Sequence, residues 1–92
     1  MTVEEAIRKF VMENRKYQLY ENYSGENMED ETCLGVVVKA DESFMEFFVQ
    51  LTQYFDDNGV DDVNCDLEGA SYADFGGDII VYFPCIKTYK NN

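Results

Sequence analysis

The side chains in this chain whose types suit chemistry are carboxylates, tyrosines and three cysteines; it has no histidine. The most ordered set of acids is in Val60–Glu68. There Val63, Cys65 and Leu67 alternate strictly with Asp62, Asn64, Asp66 and Glu68. In an extended strand that alternation puts the acids on one face, with neighbours roughly 6.6 Å apart. The spacing is comparable with that of phosphates along a nucleic acid strand. Glu29, Asp30, Glu31 and Asp61 extend the anionic field, with Asp56, Asp57, Asp74 and Asp78 beyond them. Such a surface suits mimicry: carboxylates stand where phosphates would and engage a basic protein groove through a fast, salt-sensitive contact. Tyr23 and Tyr72 are the candidate anchors, because Tyr supplies contact area at interfaces. The plain alternative is a solvated surface that resists aggregation, and the sequence leaves both open.

Other chemistries fit less well. Asp57 and Glu68 stand at the first and twelfth positions of a calcium-loop window, with Asp61 at the fifth. Gly59 cannot ligate at the third position, however, and Asp62 replaces the glycine needed at the sixth. Without histidine, acid–base catalysis would fall to carboxylates or tyrosines, and no pair of them stands out. Ser24, Ser43 and Ser71 have no evident base, and Gly69, Gly76 and Gly77 form no phosphate-binding motif. The three cysteines, Cys33, Cys65 and Cys85, are odd in number and lack metal-site spacing, which predicts buried, reduced thiols. No enzyme activity, cofactor or metal is expected.

The element that must position the acids is Asp41–Gly59. Phe44, Phe47, Phe48, Leu51, Tyr54 and Phe55 recur at helical spacing and make one broad apolar stripe. Asp41, or Ser43 with Glu46 as a capping box, starts the helix, and Asn58-Gly59 stops it. A first helix over about 3–14 has Thr2 and Glu5 as its capping box. Its apolar face is Val3, Ala6, Ile7, Phe10 and Val11, and its last turn carries Arg15 and Lys16. Four strands complete the reading: Tyr17–Tyr23, Thr32–Lys39, Val60–Glu68 and Asp78–Phe83, the last ended by Pro84. Tyr23–Glu31 and Gly69–Gly77 read as loops. The expected fold is α+β, a two-layer α-β-β-α-β-β domain over residues 1–92. Its four-stranded antiparallel sheet has order 1-2-4-3, with both helices on one face. The acidic third strand would be an edge, and the other sheet face would be open to solvent and rich in tyrosines and acids.

Charge is unevenly spread. The net charge is −12, and residues 17–86 hold sixteen acids against one base, Lys39. A field of that sign repels nucleic acid and anionic lipid and attracts basic proteins. No run is apolar enough to span a membrane and the first residues lack a signal-peptide pattern, which predicts a cytoplasmic protein.

Tyr23-Ser24-Gly25, Met28, Thr32-Cys33 and Gly35, with the later Asp78–Pro84 run, resemble a group of small proteins of Gram-positive gut bacteria, their phages and mobile elements. The resemblance covers about residues 17–84. This chain departs from it at Glu26 and Glu31, where the group tends to carry bases. The resemblance implies a genomic setting and no activity. Small acidic proteins of that setting include anti-CRISPR and anti-restriction inhibitors, a likeness of class alone. The leading expectation is therefore a stoichiometric, anti-CRISPR-like inhibitor of a basic nucleic-acid-binding protein, such as a CRISPR effector, in a bacterial host cell. The competing expectation is an acidic interaction module with an unrelated partner, or one that self-associates.

Overall fold

The structure, a computed structural model, describes residues 2–25, 31–60 and 69–88. The first helix, α1 (Val3–Glu13), opens on the expected capping box. The Glu5 N–H donates to Thr2 Oγ1, and the Thr2 N–H donates back to the Glu5 carboxylate. The helix stops at Asn14, whose Nδ2 donates to the Phe10 carbonyl at 2.8 Å. Arg15 and Lys16 therefore lie past its end, and its last turn has no base.

Next come β1 (Gln18–Tyr23), β2 (Thr32–Lys39) and α2 (Glu42–Asp57). Asp41 caps α2 by accepting the Ser43 N–H at 2.8 Å, an interaction that holds its carboxyl below the usual range. The Ser43–Glu46 box does not form, because Asp41 is the cap and Ser43 already lies in the first turn; the Glu46 carboxylate reaches to Lys16. Gly59, at φ 60°, ends the helix in the left-handed conformation that glycine adopts at no steric cost.

The last two strands, β3 (Ser71–Phe75) and β4 (Asp78–Thr88), depart from expectation. The sequence pattern of Ser71–Phe75 suggests loop, yet the segment pairs in register with β4 from Ser71 opposite Tyr82 to Phe75 opposite Asp78. Gly76 and Gly77, both at positive φ, form the two-residue hairpin loop whose twist suits paired strands. The expected strand at 60–68 lies outside the described residues apart from Val60. Likewise β4 does not end at Pro84. Phe83 lies opposite Leu34 and Lys87 opposite Cys33, so Pro84, Cys85 and Ile86 bulge out of the ladder. Proline has no N–H to donate, and a bulge needs none there.

The sheet is antiparallel throughout with order β1-β2-β4-β3, as the sequence predicts. One face packs under both helices. Phe10, Tyr17 and Phe47 meet at its centre, with ring centroids 5.1 to 6.0 Å apart. Leu34, Val36, Val38, Val81 and Phe83 form its floor and Ile7, Leu51 and Phe55 its roof. Along α2 only Phe47, Leu51 and Phe55 are buried; Phe44, Phe48 and Tyr54 sit half-buried at its flanks.

The other sheet face carries the tyrosines expected, but they pack over it, so it is not the open, acid-rich surface expected. A bulge at Asn22, at φ 58°, brings Tyr20 and Tyr23 to the same side, opposite Gly35 and Cys33. Their rings join Phe75 and Tyr82 in a layer with centroids 5.0 to 6.5 Å apart. Ile80 and Cys33, on this face by strand alternation, are fully buried. This face thus has a small aromatic cover of its own.

Candidate interaction surface

Three of the six described bases, Arg8, Lys16 and Lys87, sit in ion pairs. Arg8 binds Glu4 at 3.0 Å and Glu21 at 2.7 Å, so α1 is tied to β1. The hydrogen bond from Arg8 lowers the pKa of Glu21, and Glu21 in turn raises that of Arg8. Lys16 binds Glu46 at 3.1 Å and lies over the Tyr17 ring. Lys87 pairs with Glu31. These contacts are surface pairs of modest energy. Their effect on the field is larger: they place three of the positive charges directly against negative ones.

The end of α2 has the opposite arrangement. Its last turn carries Asp56 and Asp57 and no base. The carbonyls there give the helix terminus a partial negative charge, so acids at this place oppose helix stability. Gln53 Nε2 donates to Asp57 Oδ1 at 2.8 Å, which orients one of the two carboxylates. Asp56 and Asp57 are both exposed.

The sequence-predicted residues separate into four groups. Glu29, Asp30, Asp61, Asp62, Asp66 and Glu68 lie outside the described residues, as does the rest of the calcium-loop window after Val60. Glu31 is exposed but shares its charge with Lys87. Tyr23 is half-buried between Tyr20, Phe75 and Tyr82, which makes it part of the aromatic cover rather than a free anchor. Tyr72 is 67% exposed at an edge strand, and Phe44 of α2 leans against its ring.

Two features were not picked out from the sequence. The first is the joining of Tyr20, Tyr23 and Phe75, which the sequence offers either as interface aromatics or as cover for the core's open edge, with Tyr82 in one layer. The second is the outer side of α2, where Met45 is 66% and Val49 68% exposed. Their four-residue spacing was visible, but they lie outside the apolar stripe.

The cysteines correct the expectation of three buried thiols. Cys33 is a fully buried thiol whose pKa is raised by burial. Cys85, in the β4 bulge, is exposed and disulfide-bonded. Disulfides persist in oxidising surroundings and are uncommon in the cytosol, so Cys85 pulls against a cytoplasmic setting. Among the described residues no helix is long and apolar enough to cross a membrane, and no cluster of side chains has the make-up of a metal site.

Comparison with protein-family models, curated proteins and solved structures gave no match for this chain.

Proposed function

We propose that this protein is a stoichiometric inhibitor of the anti-CRISPR or anti-restriction kind, occupying the basic surface of a bacterial nucleic-acid-binding protein. Its carboxylates stand in for phosphates. The observation that carries the reading is the end of α2. Asp56 and Asp57 sit where the helix itself disfavours acids, and the charge is left facing solvent. A residue pair that opposes local stability is expected where function requires it. The pairing of Arg8, Lys16 and Lys87 supports the same reading, since it sets three of the chain's seven bases directly against acids and away from the end of α2. Tyr72 supplies exposed aromatic area on β3, two residues before Asp74 on the same strand face and against Phe44 of α2.

The test is displacement. The immobilised protein captures its partner from a bacterial lysate. The free protein is then titrated into that partner's complex with a fluorescein-labelled nucleic acid. Near-equimolar release of the label is the expected result. A partner that keeps its nucleic acid while binding this protein would overturn the reading.

A further inference from the structure

The outer side of α2 carries a row that neither the core nor the aromatic cover uses. At 100° per residue, Glu42, Met45, Val49, Thr52 and Asp56 fall along one line of the helix. All five are exposed. The row has an acid at each end and two apolar side chains between. From Glu42 to Asp56 it runs roughly 21 Å at 1.5 Å per residue. Neither Glu42 nor Asp56 forms an ion pair with a described residue. On one flank the half-buried Phe48 continues the apolar surface to Phe44, and Phe44 meets Tyr72 at 5.4 Å between centroids.

A solvated helix face would ordinarily be polar throughout. Here Met45 and Val49 expose an apolar centre, and methionine is an adaptable contact residue at binding surfaces. The ends of the row and the chain's net charge of −12 select the sign of whatever covers it. Nucleic acid and anionic membranes are excluded by that sign, and an acidic helix is excluded for the same reason. We infer that the α2 row is a docking site for a basic amphipathic helix of the partner protein. The helix lays its apolar side on Met45, Val49 and Phe48, and its Lys or Arg residues meet Glu42 and Asp56. Recognition of an amphipathic helix through anchors at this spacing is a recurrent mode. The inference deepens the proposed function by naming the part of the partner that is held, and it rests on the partner being basic.

The experiment uses a synthetic basic amphipathic peptide with leucines on one side and lysines on the other. A scrambled peptide of identical composition is the control. The protein is labelled with 13C at its methionine methyls. The amphipathic peptide is expected to shift the Met45 signal and leave Met12, exposed on α1, in place. It should bind at least about fivefold more tightly than the scrambled one, the ratio that marks an interface residue as contributing when truncated. Met45→Ser with Val49→Ser, both at exposed positions, should lose that preference while circular dichroism stays unchanged. Equal binding of the two peptides, or an unmoved Met45 signal, would overturn the inference. The outcome separates from that of the proposed function. Displacement of nucleic acid by a protein carrying both serines, at undiminished affinity, removes the docking site and keeps the mimic. Peptide docking on Met45 without any displacement of nucleic acid does the reverse.

Discussion

The rings of Tyr20 and Phe75 meet edge to face at 5.1 Å between centroids, although their strands are the two outer strands of the sheet. Two strands lie between them. The contact depends on what those strands leave out. Gly35 of β2 faces this side with no side chain, and a Cβ there would come within 2.8 Å of Ile80 Cδ1. Ile80 therefore leans over the glycine, and the rings close above both.

Gly35→Val should accordingly destabilise the protein by about 1–3 kcal/mol, the usual cost of overpacking. Strand propensity alone predicts the opposite sign, since valine favours strands and glycine does not. Urea denaturation decides between them. A neutral or stabilising result would mean that the aromatic cover does not depend on the gap at Gly35.

Neighbouring phenylalanines of α2 should differ. Phe47 is fully buried against Phe10 and Tyr17, and Phe47→Ala should cost about 3–5 kcal/mol. Phe48 is half-buried at the flank, so Phe48→Ala should cost distinctly less. If the two variants unfold at the same denaturant concentration, the assignment of core and flank is wrong.

Thiol counting checks the cysteines. Folded protein should react slowly with a thiol reagent, because Cys33 is buried and its pKa is raised by that burial. Unfolded without reductant, the chain should show one reactive thiol, given that Cys85 is disulfide-bonded. Unfolded with reductant it should show all three cysteines. Three thiols without reductant would contradict the disulfide. Because Asp56, Asp57 and Met45 lie on α2, partner binding should survive reductant.

The Arg8–Glu21 pair gives a pH signature. Arg8 holds the Glu21 carboxyl below its ordinary value, which is about 4.3 in an unfolded chain. The pair therefore contributes fully above that pH, and its contribution fades as pH falls through the lower, folded value. Arg8→Gln should be less stable than the parent by no more than about 1 kcal/mol at pH 7, since the pair is exposed. The gap should close in acid. A gap that stayed constant down to the lowest accessible pH would show that Arg8 acts through packing and not through Glu21.

What was readable in the chain followed from local pattern. The six apolar positions of α2 and the Thr2–Glu5 box each lie within a few turns of one helix, and both appear in the structure. The strand order followed from the two most apolar runs, Thr32–Lys39 and Asp78–Phe83, which do lie in the centre. The third strand did not follow. Ser71–Phe75 is short and half-buried, and it is held by pairing to β4 across Gly76-Gly77. Its turn glycines looked like loop residues until their strand partners were placed. The aromatic cover was hidden for a different reason. Tyr20 and Tyr23 share a face only because of the bulge at Asn22, and period-two alternation cannot foresee a bulge. For the candidate surface, the sequence exposed the sign and density of the charge. It did not reveal that Glu31 is paired with Lys87, a contact made across strands far apart in the chain.

The central claim is that charge at the end of α2 binds a basic surface. The most direct test is the affinity of the captured partner for the parent protein and for Asp56→Asn with Asp57→Asn, measured by calorimetry across a salt series. Two exposed charges lost from such a contact should weaken it about 2- to 30-fold at low salt. The two proteins should converge near about 1 M salt, where screening acts within about 3 Å. Equal affinities at low salt, or a difference that persists unchanged at high salt, would contradict the account.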